Sequence, residues 1–203
     1  PFSRHRESWD IISIIDPIFT LPLVLLLLVA WFARKANPAR IALLLCGLYL
    51  GFGLYQREQA KDFAHQLAEQ RGHTPGELTA RPSFGNTLLW RIVYRDGDNY
   101  YVEGVRIFPG LEDRHYRGAV VPAFDQIDAY GMLDPDSVLW ADIERFRFFS
   151  QGYLFLHGRS PLVAGDLRYA MFPDSPVPLW GIRIDPTKPD EHTEILYFRD
   201  ASA

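Results

Sequence analysis

The chain has 203 residues, 48% of them hydrophobic, and 21 Lys and Arg against 25 Asp and Glu, for a formal net charge of −4. With that balance and no basic block, nothing offers a footprint for a phosphate backbone, which excludes nucleic acid as an expected partner. The single cysteine, Cys46, excludes a disulfide framework within the chain.

The chain begins Pro-Phe-Ser, and a mixed segment with Arg4, Arg6, Glu7 and Asp10 leads to Trp9-Asp10-Ile11-Ile12-Ser13-Ile14-Ile15-Asp16. Trp9 suits the headgroup level of a bilayer. No small-residue cleavage site follows the first apolar run, so the expectation is a fragment whose natural N-terminus lies upstream, not a signal peptide. Asp16-Pro17 predicts a helix start: Asp is a favoured N-cap, and Pro is favoured where an N–H has no partner. Asn37-Pro38 repeats the signal.

Two apolar runs follow, Pro17–Ala33 and Ala39–Tyr55, separated by Arg34-Lys35-Ala36-Asn37-Pro38. A bilayer core of about 30 Å needs roughly 17–25 such residues as a helix, and neither run shows a polar face. They predict a transmembrane helical hairpin, with helices at about 17–34 and 38–56 and the lipid bilayer as partner. Arg34, Lys35 and Arg40 lean towards a cytoplasmic loop, which would put the rest of the chain outside the cytoplasm. Gly47 and Gly51 have the small-residue spacing that lets helices approach closely. Residues 56–71 are rich in helix formers and polar all round apart from Phe63 and Leu67, which predicts an extension of the second helix until Gly72 stops it. The membrane region is thus expected over 1–71 and a β-rich domain over 72–203.

Leu88–Arg95 and Tyr100–Ile107 read as strands around Asp96-Gly97-Asp98-Asn99, a tight hairpin signal. Asp134–Glu144 predicts a short helix. Phe146–Phe149, Tyr153–His157, Leu162–Tyr169, Val177–Ile184 and Ile195–Arg199 read as further strands. The expected class is α+β: a helical hairpin, then a mostly antiparallel sheet with one or two short helices.

Signatures of nucleotide binding, nucleophilic catalysis and helical zinc sites are missing. Asp10 and Asp16 flank the first span, where a carboxylate can bind a hard metal or simply cap and solvate. Glu112-Asp113-Arg114-His115 reads as a solvated loop. Trp90-Arg91, Tyr94-Arg95 and Arg168-Tyr169 offer cationic and aromatic groups to an anionic headgroup, or are strand arginines with buried stems.

Trp9–Leu23 resembles the segment D-x-(I/V)-F-I-I-D-P-L-Y-T-L-P-L of the YdjM-like family, bacterial inner-membrane proteins described as metal-dependent hydrolases. Asn86-Thr87-Leu88-Leu89-Trp90-Arg91 is similar to its N-T-L-L-W-R signature. Phe148-Phe149-Ser150-Gln151-Gly152 and Asp166-Leu167-Arg168-Tyr169 are similar to its F-S-x-G and D-L-R-(M/Y) positions. The resemblance implies a multi-pass protein of the bacterial inner membrane. Its divalent metal, zinc or another, would be held mostly by upstream segments (P-D-x-D, H-R-G-x-T-H-S and H-x-x-x-D-x-x-T-x-Y-G) that this sequence lacks. Those upstream membrane helices would be the partner of this hairpin, and the fragment alone would bind no metal tightly. Asp16 and Asp10 are then the candidate metal positions, and Asn86, Trp90, Arg91 and Arg168 the candidate substrate-binding residues. The reaction class implied is hydrolysis of an amphiphilic compound or phosphoester. The alternative is a membrane-anchored domain that binds without catalysing.

Overall fold

The structure, a computed structural model, describes residues 9–124, 133–159 and 162–198. Arg4, Arg6 and Arg199 lie outside them. Three helices and eight strands are present among the described residues: α1 Pro17–Ala33, α2 Asn37–Gln70, β1 Glu77–Pro82, β2 Leu89–Asp96, β3 Asn99–Arg106, β4 Arg114–Pro122, α3 Val138–Phe149, β5 Leu154–Arg159, β6 Leu162–Asp166, β7 Trp180–Ile184 and β8 Ile195–Tyr197. The class is α+β, and every strand pairing is antiparallel. The strands form two four-stranded meanders, β1–β4 and β5–β8, where one sheet was expected. An isolated bridge between Ala123 and Phe155 links them.

The local signals explain most elements. Asp16 caps α1, its Oδ1 accepting from the Phe19 N–H at 3.1 Å, with Pro17 at the first helical position. The second Pro signal works differently: Asn37 lies inside α2, and the preceding Ala36 makes no side-chain cap. Gly72, at φ 73°, ends α2 as expected. Asp96 pairs with Asn99, so Gly97 and Asp98 form a two-residue turn, and Gly97 takes the positive φ that such a turn requires.

Four assignments need correcting. Phe146–Phe149 is the last turn of α3, not a strand, because the helix starts later than expected, at the Ser137 cap, and runs on. Arg114 and His115, expected in a solvated loop, open β4. The strand expected over Leu162–Tyr169 ends at Asp166, and β1 was not anticipated.

Residues 56–70 do extend the hairpin helix, but they are not polar all round. Ala60, Ala64 and Ala68, four apart, are fully buried against Trp90, Ile92, Tyr94 and Val105 of the first sheet. Alanine at that spacing lets a helix lie close on a sheet. Val93, Tyr100 and Val102 face the other way and join Tyr153, Phe155 and Leu167 in a core between the sheets. β2 and β3 are thus covered on both faces, which is why β2 carries large buried residues on both sides, Ile92 and Tyr94 on one and Val93 on the other. α3 packs Leu139 and Ile143 on the second sheet.

α1 and the first half of α2 are different. α1 buries no residue. Leu21, Leu25, Leu43, Leu44 and Leu48 are each more than 60% exposed. α2 is long and apolar enough to cross a membrane; α1 is apolar but has only 17 residues. The two meet around Phe19 and Tyr49, whose ring centroids lie 5.6 Å apart. Gly47 and Gly51 touch nothing that a Cβ would meet. The close approach on α2 is instead at Gly53, where a Cβ would collide with the Ile11 carbonyl oxygen. The segment before α1 therefore runs against α2 just where its apolar run gives way to Gln56. That glutamine is buried and donates to the Ile107 carbonyl at 2.9 Å, tying the base of the hairpin to the first sheet.

Candidate functional site: an arginine-lined cavity at the base of the hairpin

Ile15 accepts from the Gly85 N–H at 2.9 Å, and Pro17 lies beside Gly85, so the loop after β1 abuts the start of α1. Next to this junction is a cavity of about 60 Å³. Its wall includes Asp10, Ser13 and Ile14 before α1, Arg81 to Phe84 at the end of β1, Arg91 of β2, and Arg168 and Tyr169 after β6. The space exceeds what a single water needs.

The three arginines differ in what they hold. Arg91 is 4% exposed and donates to the carbonyl oxygens of Leu167 (Nε 3.0 Å, Nη2 2.8 Å), Pro173 (2.9 Å) and Ser175 (2.8 Å), with a longer bond to Phe172. It fastens the loop after β6 to the first sheet. All these acceptors are neutral, so no carboxylate among the described residues touches the charge. Burial pushes its pKa down to about 9, with Asp166 and Asp174 opposing from further off, which leaves it protonated at neutral pH. Arg168 grips Asp166 through Nε (2.9 Å) and Nη2 (2.8 Å) and reaches Gln151 and the Phe149 carbonyl. Arg81 pairs with Asp10 at 2.7 Å and donates to the Tyr169 hydroxyl at 2.5 Å. Its Nε has no partner among the described residues, and neither does the buried Ser83 Oγ on the same wall. The Tyr169 ring stacks beneath the Arg81 and Arg168 guanidiniums, at 4.8 and 5.3 Å.

Comparison of the chain with protein-family models, curated proteins and solved structures finds no match.

The sequence candidates divide. Arg91 and Arg168 line the cavity together with Asp10. Trp90 lies on the opposite face of β2, fully buried under α2, with its indole N–H donated to the Thr87 carbonyl at 2.9 Å. Asn86 shapes the turn before β2, its Oδ1 accepting from the Leu88 and Leu89 N–H groups. Asp16 lies further along towards α1 and is doubly engaged: besides capping α1, it accepts from the Tyr49 hydroxyl at 2.7 Å. Asp10 is held by Arg81, a cation that disfavours a metal beside it. No group of three His, Cys, Asp or Glu is placed to hold a metal ion among the described residues. Asp10 and Asp16, each already engaged by a cation or by the α1 cap and Tyr49, do not by themselves make a metal site among the described residues.

Arg81, Ser83 and Glu103 were not singled out in the sequence. Glu103 of β3 is buried and accepts from Arg71 at 2.5 Å and His115 at 2.8 Å, while Tyr94 bridges Arg71 and His73. This second cluster bolts the end of α2 to the first sheet. A lone acid in a strand carries no sequence signal of that role.

Three of the stretches that carried the resemblance line the cavity, and the fourth, Phe148–Gly152, reaches it only through Arg168. Trp9–Leu23 supplies Asp10, Ser13 and Ile14; Asn86–Arg91 supplies Arg91; Phe148–Gly152 supplies the partners of Arg168; and Asp166–Tyr169 supplies Arg168 and Tyr169.

Proposed function

We propose that the chain is a membrane-anchored domain. α1 and the apolar half of α2 cross a bilayer as a hairpin, and the arginine-lined cavity lies at the bilayer surface, where it binds part of a membrane-borne molecule. The observation that carries this reading is the bare apolar hairpin: no residue of α1 is buried, and its leucines stand exposed apart from the seam it shares with α2. An apolar surface of that extent is costly in water and at rest in lipid.

A second reading, the distal part of a membrane-bound metal-dependent hydrolase of YdjM-like type in the bacterial inner membrane, is favoured by the meeting of three sequence-distant stretches on one cavity, with a fourth bonded to its Arg168. In that reading Arg81, Arg91 and Arg168 orient an amphiphilic substrate, and the metal is held by residues beyond those described. The basic tip at Arg34, Lys35 and Arg40 supports a cytoplasmic loop with the sheets on the opposite side.

The anchoring is tested by mixing the whole chain, released from detergent, with phosphatidylcholine liposomes and floating them through alkaline carbonate. The chain is expected to float with the vesicles. Recovery in the soluble fraction, monodisperse without detergent, would remove the bilayer from the account.

A further inference from the structure

We propose that the cavity is a binding site for the phosphate group of an anionic lipid, with Arg81 as its principal ligand and Asp10 as the internal anion it displaces. The inference rests on the membrane-anchored reading and names the molecule class bound there.

Unsatisfied donors point to a missing ligand. Arg81 Nε and Ser83 Oγ are buried, without partners among the described residues, and belong to one wall. Buried polar groups are ordinarily paired, so Arg81 and Ser83, two residues of one wall that each keep an unpaired group, have hydrogen-bonding capacity to give an occupant once their side chains turn to it. The charge of that occupant follows from Arg91. Its guanidinium is buried, protonated and, among the described residues, bonded only to carbonyl oxygens, so Arg91 brings to the wall a positive charge with no described anion in contact. A desolvated charge of this kind is stabilised by a counter-ion. The Tyr169 hydroxyl accepts from Arg81 and keeps its own proton to donate. Guanidinium, hydroxyl and phenol form the donor set that suits a tetrahedral oxyanion, and planar guanidinium is the usual phosphate partner.

Asp10 already occupies one face of Arg81. It does so at φ 45°, a left-handed conformation that a non-glycine residue adopts at a cost. A carboxylate held this way is a built-in competitor: it neutralises Arg81 when the site is empty and gives way to a better oxyanion. The lipid source of that oxyanion follows from the rim. Ile14 is 70% exposed and lines the cavity together with Phe84, which is about a third exposed, and Phe172 and Met171 stand partly exposed on the adjacent loop. Ile14 and Phe84 lie at the base of the hairpin, in the two segments that meet where the Gly85 N–H bonds Ile15 beside Pro17. A phosphate on Arg81 would leave its acyl chains next to them.

The test uses the whole chain in dodecylmaltoside micelles, titrated with dioleoyl phosphatidic acid, dioleoyl phosphatidylcholine or inorganic phosphate, with thermal unfolding as the readout. Saturable stabilisation by phosphatidic acid alone is expected. Arg81→Gln should weaken that binding about tenfold or more, Ser83→Ala several-fold, and Asp10→Asn should tighten it several-fold. The Asp10→Asn gain separates this role from a structural one, since breaking a purely structural ion pair gives no reason for tighter binding. Equal stabilisation by inorganic phosphate overturns the lipid source. Unchanged binding in both Arg81→Gln and Ser83→Ala, or weaker binding in a folded Asp10→Asn, overturns the site. If Arg81→Gln does not fold, Ser83→Ala and Asp10→Asn decide the question. Flotation on phosphatidylcholine alone reports anchoring separately: a chain that floats but ignores phosphatidic acid loses only this site.

Discussion

Replacing Arg91 with Met should be the most damaging single change in the chain. The methionine fills much of the volume but donates no hydrogen bond. The carbonyl oxygens of Leu167, Pro173 and Ser175 would then lose a buried donor together. Hydrogen bonds to a charged group are each worth about 1.5–3 kcal/mol, and stranding buried partners adds the desolvation cost. A loss of about 3–5 kcal/mol is expected, the range seen when one side of a buried charged interaction is removed. At roughly 2–4 °C per kcal/mol for a chain of this size, the melting temperature of the sheet region should fall by about 6–20 °C. Arg91→Lys should recover only a minor part, because one ammonium cannot reach acceptors spread over nine residues. Circular dichroism melting in detergent measures both variants. A change of only a degree or two would mean that the loop after β6 is held by something else.

The second large effect concerns the hairpin. Leu25 is 62% exposed in the middle of α1. On an ordinary wet surface, Leu→Arg is close to neutral, within about 0.5 kcal/mol. At the centre of a membrane helix, arginine costs about 2.5–3.5 kcal/mol. Leu25→Arg should therefore shift the hairpin's partition into liposomes by about a hundredfold. The melting temperature of the sheet region in detergent should stay unchanged, because Leu25 touches none of its cores. Flotation read beside melting separates the two outcomes: if Leu25→Arg floats as well as the parent chain, α1 does not enter lipid.

How much of this was legible in the residues depends on range. The capped start at Asp16, the stop at Gly72 and the turn at Gly97 are written in short-range chemistry, and each stands where its signal put it. The division into two sheets was not legible, since alternation marks a strand's faces but not which neighbour it pairs with. The α3 boundary slipped because Phe146, Phe148 and Phe149 suit a strand locally, while the Ser137 cap and the continuing helix prevail. The alanine stripe at 60, 64 and 68 passed for a polar helix because alanine contributes little to a hydrophobic face until a sheet is laid against it.

The site followed the same rule. Arg91 and Arg168 attracted notice as arginines beside aromatics, but nothing near them in sequence separates a carbonyl-bound guanidinium from a headgroup ligand. Arg81 lies in Ala80-Arg81-Pro82, a stretch without pattern, and acquires meaning only where the chain brings it to Asp10, 71 positions earlier. Trp90 shows the converse: a conspicuous residue beside Arg91 faces the opposite core because consecutive strand residues point to opposite sides.

The central claim is that the hairpin lies in lipid, and the native Cys46 reports on it directly. It lines the partly open cleft between α1 and α2 and would meet water if the hairpin were solvated. Maleimides react with thiolates, which do not form in hydrocarbon. The whole chain carrying Glu112→Cys, an exposed loop position, should be reconstituted in phosphatidylcholine liposomes and treated with N-ethylmaleimide, which reaches water on both sides. The account predicts that the introduced loop thiol is modified while Cys46 reacts only after the vesicles are dissolved in denaturing detergent. Equal labelling of both thiols in intact vesicles would contradict it.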